Sequence, residues 1–183
     1  MVKTASSPQV LQTGTRAPDF TLKGVDGKMH SLQDYKSKTT LIVFICNHCP
    51  YVKARIQDII SLQSKFNPSE LQVIGINSND PNYTDEGYDN MILFAKDHRL
   101  NFPYLIDESQ DIARAYGAVC TPDPFLFLDG NLVYHGRIND ALEPEAKPTI
   151  PIMENNVRKL LKAEKLEKDF DPSIGCSIKW KEY

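Results

Sequence analysis

The sequence lacks most of the features that would place it outside the ordinary globular proteins. It contains only four cysteines in 183 residues, which is too few for a disulfide scaffold. No apolar run approaches the roughly 18 residues that span a bilayer, and the polar N-terminus shows no signal peptide. The formal net charge of −3 argues against electrostatic binding of nucleic acid or of a membrane surface. These absences predict a cytoplasmic protein without either partner.

Length and composition favour a single domain. The apolar fraction is 41% and the charged fraction is 25%, and both values are typical of globular proteins with a sizeable core. We predict a flexible N-terminal arm over residues 1–13, a domain over 14–166, and a C-terminal tail over 167–183 that can pack on the domain.

Predicted strands and helices alternate along the chain. The apolar runs at 40–45 and 73–77 predict buried strands, and the spacing of apolar residues predicts a helix over 51–66 between them. A strand, helix and strand in this order form a right-handed parallel unit. Shorter elements follow: helices near 91–98, 112–116 and 153–161, a strand at 104–106 and a hairpin over 125–134. This order predicts an α/β fold whose parallel strands come first.

Two cysteines stand where the first long helix begins. Cys46 and Cys49 follow the strand at 40–45, and a helix N-terminus favours the thiolate form of a nearby cysteine. We predict that Cys46 attacks a disulfide, because we expect its sulfur nearer the helix amides, and that Cys49 resolves the mixed disulfide. The alternatives are a pair of inert core cysteines or a zinc knuckle, which usually needs a second well-spaced pair.

The residues inside the motif can shape this site. A cationic His48 would lower the pKa of Cys46 and make the disulfide more oxidising; the alternative is an exposed histidine in a turn. Asn47 shares the intervening pair, and Pro50 lies at the first turn of the helix.

Thr121 and Pro122 precede the 125–128 strand. We predict that their peptide bond is cis and places backbone groups beside the disulfide. On this placement Cys120 lies near Cys46, either as a further exchange partner or as a small buried hydrophobe. Cys176, in the tail, could pair with Cys120 as a second redox pair, could cover the site together with Trp180, or could be an idle thiol.

Two acids at the end of the 104–106 strand are candidates for acid/base chemistry. Asp107 and Glu108 could reach the cysteines and move a proton. The alternative is that they stabilise a helix N-terminus or lie in solvent.

The strand, the CxxC motif, the helix and Thr-Pro before a hairpin together resemble the thioredoxin fold. Longer strings at 44–52, 76–80, 102–105, 120–123 and 175–180, with Ala17-Pro18-Asp19-Phe20, resemble redoxins of the AhpC/TSA group that carry an NHCPYV motif. The resemblance covers nearly the whole chain. It implies a three-layer α/β/α fold with a central mixed sheet, a β-α insertion of the peroxiredoxin type within 78–104, and antioxidant or thiol-disulfide oxidoreductase activity.

The sequence also departs from the relatives that this resemblance suggests. Peroxiredoxins place proline and threonine seven and three residues before the peroxidatic cysteine, whereas Thr39 and Val43 stand there relative to Cys46. Thioredoxins carry tryptophan before the first cysteine and a buried acid six residues before it; here these are Ile45 and Thr40. The departures favour disulfide exchange over peroxide chemistry.

We therefore predict a thiol-disulfide oxidoreductase that uses the Cys46–Cys49 disulfide and needs no organic cofactor or metal. Its partners would be a protein or small-molecule disulfide and a reducing partner. One alternative is a thiol peroxidase in which Cys46 becomes a sulfenic acid. Another is a non-enzymatic binding module, or a metal site built from Cys46, Cys49, Cys120 and Cys176.

Overall fold

The computed structural model describes residues 2–182. The strands of this part are β1 (Lys3–Ala5), β2 (Thr21–Gly24), β3 (Met29–Ser31), β4 (Thr39–Phe44), β5 (Leu71–Asn77), β6 (Tyr104–Ile106), β7 (Cys120–Thr121), β8 (Asp123–Leu128), β9 (Asn131–Gly136), β10 (Phe170–Asp171) and β11 (Ile174–Ser177). The helices are α1 (Pro50–Ser64), α2 (Tyr88–His98), α3 (Asp111–Tyr116) and α4 (Ile152–Leu161), with a 3-10 turn at Leu32–Asp34.

A mixed sheet forms the centre of the molecule. Across the described residues its strand order is β10-β9-β8-β4-β5-β6-β2-β3. Strands β4, β5 and β6 run parallel, and β8 joins β4 in the antiparallel direction. The predicted α/β order with a parallel unit followed by an antiparallel hairpin is confirmed. Strand β4 is a central strand that lies between β8 and β5. The chain after Phe44 therefore leaves the sheet between these two neighbours.

The sheet is covered on both faces, since successive side chains of a strand point to opposite sides. Leu41 and Val43 of β4 pack in one apolar cluster with residues of α1, α2 and α4. Ile42 and Phe44 pack in the other cluster with Tyr116 of α3. This arrangement gives three layers, with α1, α2 and α4 on one face of the sheet and α3 on the other.

A second, smaller sheet joins both ends of the chain. Its strand order is β1-β11-β7, and both pairings are antiparallel. Strand β1 lies within the segment predicted as a flexible arm, and β11 lies within the predicted tail. The expectation of a flexible arm over residues 1–13 does not hold for residues 3–5, because they pair with residues 174–176. Strand β11 therefore lies against β7, next to Pro122.

The insertion between the first parallel unit and the later hairpin contains α2 and β6. Strand β6 pairs with β5 in parallel and with β2 in the antiparallel direction. Residues 78–87 connect β5 to α2 and carry the buried side chain of Glu86. This connection lies at the carboxyl end of β5. Because β4 runs parallel to β5, Cys46, which follows the carboxyl end of β4, lies at the same edge of the sheet.

Candidate active site

Cys46 and Cys49 lie where β4 gives way to α1. The amide of Ile45 still donates to the carbonyl oxygen of Ile76 in β5, so the chain leaves the sheet only at Cys46. Helix α1 begins at Pro50, and Cys49 is its N-cap residue. Proline suits this first helical position because its missing amide would have no partner inside the helix. Both cysteine side chains are fully buried.

Thr121 contacts both cysteines of the motif. Its Oγ1 lies 3.1 Å from the Sγ of Cys46, and its carbonyl oxygen lies 3.3 Å from the Sγ of Cys49. The peptide bond between Thr121 and Pro122 is cis. Residues more than 70 positions apart in the sequence thus form one site, because β7 and β8 return the chain to the edge where β4 ends.

Cys176 is a third cysteine of this site. Its Sγ lies 2.9 Å from the Sγ of Cys49, since the register of β11 with β7 places Cys176 opposite Thr121. Cys120 lies opposite Ser177 instead. The structure therefore brings Cys176 to Cys49 rather than to Cys120, the partner that the sequence suggested.

Cys120 is buried outside this group of sulfurs. Its Sγ lies 3.9 Å from the carbonyl oxygen of Pro122 and 4.0 Å from the Oγ of Ser173. Burial and the nearby carboxylate of Asp123 raise the pKa of Cys120 well above its ordinary value. Neither of its contacts is with Cys46, Cys49 or Cys176, and they match those of a small core residue.

The pKa values of the two motif cysteines shift in opposite directions. Hydrogen bonds from the thiols of Cys46 and Cys176 and from the amide of Val52 lower the pKa of Cys49 to about 5. Burial and the negative charges of Cys49 and Glu86 raise the pKa of Cys46 well above its ordinary value. The sequence predicted the opposite order because it placed Cys46 nearer the helix amides; the helix begins one residue after Cys49.

Glu86 is a buried acid beside the motif that the sequence analysis missed. Its Oε1 accepts the backbone amides of Asn47, at 3.1 Å, and of His48, at 3.3 Å. The same oxygen lies 2.5 Å from the Nδ1 of His48, and Oε2 accepts the side-chain amide of Asn77 at 2.6 Å. Glu86 thereby takes up the amides that precede α1 and fixes the loop that carries Cys46.

His48 is therefore oriented by a carboxylate. We expected its ring to stabilise the Cys46 thiolate directly, but its Nδ1 is engaged by Glu86. Its Nε2 is buried without a hydrogen-bond partner among the residues that the structure describes. The ring also lies against Tyr83, with 5.1 Å between the ring centroids. The residue expected to set the charge next to Cys46 forms a pair with Glu86 instead.

Asn47 is held by the insertion. Its Oδ1 accepts the hydroxyl of Tyr104 at 2.8 Å, and its Nδ2 donates to the carbonyl oxygen of Asp85 at 3.1 Å. Both partners follow β5 in the chain, so the β5–α2 connection and β6 together fix the loop between the two cysteines.

Asp107 and Glu108, the predicted acid/base candidates, have surroundings other than the cysteine motif. Asp107 accepts the hydroxyl of Ser78 at 2.7 Å and the amide of Ala113 at 2.9 Å, so it stabilises the start of α3. Glu108 is exposed. The prediction that one of them serves the cysteines does not fit these contacts, because the acid that reaches the motif comes from the β5–α2 connection. That acid is Glu86, and the only signal for it in the sequence was a glutamate in a polar stretch.

One group of side chains has the composition of a metal site. Cys46, His48 and Glu86 each place one ligand-type atom within 4.8 Å of the others. The two carboxylate oxygens of Glu86 already accept two backbone amides, the side chain of Asn77 and a hydrogen bond with His48. An ion would have to displace these bonds, so the group fits a hydrogen-bonded positioning network better than a ligand set.

Comparison with known proteins identifies the family. The model of the AhpC/TSA family matches residues 13–137, which include β4, α1, the cysteine motif and the Thr121–Pro122 bond. The chain belongs to the AhpC/TSA family.

Curated relatives of this AhpC/TSA protein include bacterial redox proteins. The thiol-disulfide oxidoreductase ResA of Bacillus cereus is 26% identical over 129 residues, covering 70% of this chain and 71% of the relative. The thioredoxin-like protein YneN of Bacillus subtilis is 29% identical over 153 residues, covering 83% and 87%. These similarities support an oxidoreductase family of the thiol-disulfide type.

Solved structures confirm the predicted thioredoxin-like fold. An uncharacterized conserved protein from Geobacillus kaustophilus matches with a TM-score of 0.93 and 37% identity, covering 100% of this chain and 98% of the other. A putative thiol:disulfide interchange protein DsbE from Chlorobium tepidum matches with a TM-score of 0.63 and 20% identity, covering 84% and 97%. The second likeness concerns the fold alone.

No helix formed by residues 2–182 of this AhpC/TSA protein combines the length and the apolar character needed to cross a membrane.

Proposed function

We propose that this protein is a thiol-disulfide oxidoreductase whose working pair is Cys46 and Cys49. The observation that carries the proposal is the hydrogen-bonded dithiol at the N-terminus of α1, with both sulfurs against Thr121. The names of the curated relatives point in the same direction. The cytoplasmic location and the antioxidant role that the sequence predicts belong to the same proposal.

The protonation of the pair suggests how exchange begins. In the reduced protein one proton is on Cys46 and the negative charge is on Cys49. Cys46 transfers its proton to Cys49 as its sulfur attacks a substrate disulfide, forming a mixed disulfide and releasing the first substrate thiolate. Cys49 thus acts first as a base, which its hydrogen bond with Cys46 permits.

The second step restores the charge on Cys49. The released substrate thiolate takes the proton from Cys49, which then attacks the sulfur of Cys46. The Cys46–Cys49 disulfide forms and the second substrate thiolate leaves. One substrate disulfide is reduced to two thiols while the protein dithiol loses two electrons, so no organic cofactor is required. A reducing partner returns the pair to the dithiol.

Glu86 and His48 act as positioning residues in this scheme. The carboxylate holds the amides of residues 47 and 48 and adds a negative charge that keeps the proton on Cys46. The Cys46 thiolate is therefore formed only as it attacks. A substrate must also reach two buried sulfurs, so exchange requires a local opening of the residues that cover them.

The test is to equilibrate the protein with dithiothreitol or glutathione redox buffers and to measure the reduction potential of the pair. The Cys46→Ser and Cys49→Ser variants should each abolish the two-electron transition and the reduction of a fluorescent disulfide substrate. Cys120→Ser is the matched control, because it removes a buried thiol outside the pair. The proposal fails if hydrogen peroxide oxidises the pair much faster than disulfides do, or if reduced protein purified without chelator holds stoichiometric zinc.

A further inference from the structure

Strand β11 brings a cysteine to the site that the two-thiol scheme does not use. The Sγ of Cys176 lies 2.9 Å from the Sγ of Cys49, and a bonded disulfide needs about 2.05 Å. A shift of less than about 1 Å would therefore join the two sulfurs. Cys120 contacts Pro122 and Ser173 instead, which leaves Cys49 as the common neighbour of Cys46 and Cys176.

The backbone around Cys176 is held in place on both sides. Cys176 pairs with Thr121 of β7 on one side and with Lys3 of β1 on the other. Beyond β11, the amide of Ile178 donates to the carbonyl oxygen of Val119, and the amide of Lys179 donates to the Oδ1 of Asn79. These bonds fix the backbone of Cys176 beside the start of α1, within reach of Cys49.

Gly175 makes this approach possible. A Cβ at this position would overlap the carbonyl group of Thr121 and contact the nitrogen of Pro122. Only glycine allows β11 to lie so close to the Thr121–Pro122 bond. The residue before Cys176 is thus suited to bringing this cysteine against the redox pair.

We propose that Cys176 is a third redox-active thiol, which takes Cys49 out of the Cys46–Cys49 disulfide and forms a Cys49–Cys176 disulfide. This inference rests on the proposed function. The sulfur of Cys176 attacks that of Cys49, the Cys46–Cys49 bond breaks, and the proton of Cys176 passes to the released Cys46. One disulfide replaces another, so no electrons are gained or lost and no further reactant is needed.

This exchange has two consequences for the site. It returns Cys46 to its thiol form while the protein remains oxidised, so the oxidising equivalent moves away from the sulfur that meets substrate. It also bonds β11 covalently to the start of α1, which closes the site. A reducing partner would then regenerate the protein by attacking at the tail.

Tryptic peptides can separate the alternative pairings. Cys46 and Cys49 fall together in the peptide 39–53, Cys120 falls in 115–137, and Cys176 falls in 169–179. The Cys46–Cys49 disulfide therefore closes a loop within one peptide, whereas a disulfide to Cys176 links 39–53 to 169–179. Full-length reduced protein is treated with one equivalent of diamide, blocked with iodoacetamide, digested without reduction and analysed by mass spectrometry.

The inference expects the linked peptides 39–53 and 169–179 in the wild type beside the looped form. Cys46→Ser should yield that link as its main product, at least about tenfold more than Cys49→Ser, because disulfide formation demands close sulfurs. Cys120→Ser should behave as the wild type. The inference is overturned if Cys46→Ser keeps all its thiols, or if 115–137 is the peptide that becomes linked.

The Cys176→Ser variant separates this inference from the proposed function. If it forms the Cys46–Cys49 loop and reduces a disulfide substrate, the proposed function stands whatever the outcome for Cys176. If it does neither while Cys46→Ser still forms the 49–176 link, the two-cysteine scheme is wrong and the Cys49–Cys176 pair remains.

Discussion

The sulfurs of Cys49 and Cys176 lie 2.9 Å apart although 127 positions separate the two residues in the sequence. Cys49 is also hydrogen-bonded to Cys46, so it stands between two other thiols. The residue that the sequence suggests as a secondary, resolving thiol is therefore the central sulfur of the site. The predictions below test its charge, its neighbours and the strand that covers it.

The first prediction concerns the charge on Cys49. Its pKa is lowered to about 5 from an ordinary value of 9.0, so thiolate absorbance near 240 nm should rise as the pH increases through about 5. The pKa of Cys46 is raised, so no second rise is expected near neutral pH. Cys49→Ser should abolish the low-pH rise.

Cys176→Ala should shift that rise to higher pH, since it removes a hydrogen bond that stabilises the Cys49 thiolate. Cys120→Ser is the control and should leave the midpoint in place. A wild-type protein whose first thiolate appears near pH 9 would contradict this assignment.

The second prediction concerns Glu86. Its negative charge helps to raise the pKa of Cys46, so Glu86→Gln should lower that pKa and speed alkylation of Cys46 several-fold at neutral pH. Peptide mass spectrometry of iodoacetamide-treated protein measures the rate at each cysteine. The control is Asp85→Asn, which changes a neighbouring acid but leaves the backbone carbonyl that binds Asn47. Equal rates in both variants would argue against a role for the Glu86 charge.

The third prediction concerns the covering strand. In Gly175→Ala the new Cβ would overlap the Thr121 carbonyl group, so β11 should separate from β7 and expose the buried sulfurs. Alkylation of the motif should accelerate by about tenfold or more, because protection of a buried group depends on local opening. Gly27→Ala is the control for general destabilisation, because its Cβ meets no atom in the β2–β3 turn but strains the backbone there, where φ is +80°. Similar acceleration in both variants would indicate general destabilisation.

The fourth prediction concerns a buried pair behind the site. The Nε2 of His135 lies 2.7 Å from Asp123, whose carboxylate also accepts the hydroxyl of Ser173 at 3.4 Å. Asp123→Asn should reduce the free energy of unfolding by about 3 kcal/mol, because breaking a buried pair leaves an uncompensated polar group. Urea denaturation measures this change. Asp129→Asn, at the exposed ion pair with Lys38, should have a much smaller effect.

The elements with a strong hydrophobic period could be predicted from the sequence. Strand β4 and helix α1 follow the predicted ranges within two residues at each end, and β6 matches 104–106. Strands β1, β7 and β10 were missed because each has only two or three residues and, unlike β6, no run of large apolar side chains. Such short strands exist only through pairing with distant segments, and a local pattern of side chains cannot reveal that pairing.

The sequence by itself determined the redox motif, its position between a buried strand and a helix, and the pairing of that motif with Thr121–Pro122. These features depend on local patterns or on a recognisable resemblance. Only the tertiary structure decided that Glu86 orients His48, that Cys176 rather than Cys120 contacts Cys49, and that neighbouring hydrogen bonds lower the pKa of Cys49. Each of these depends on distances between residues far apart in the chain, which the strand register sets.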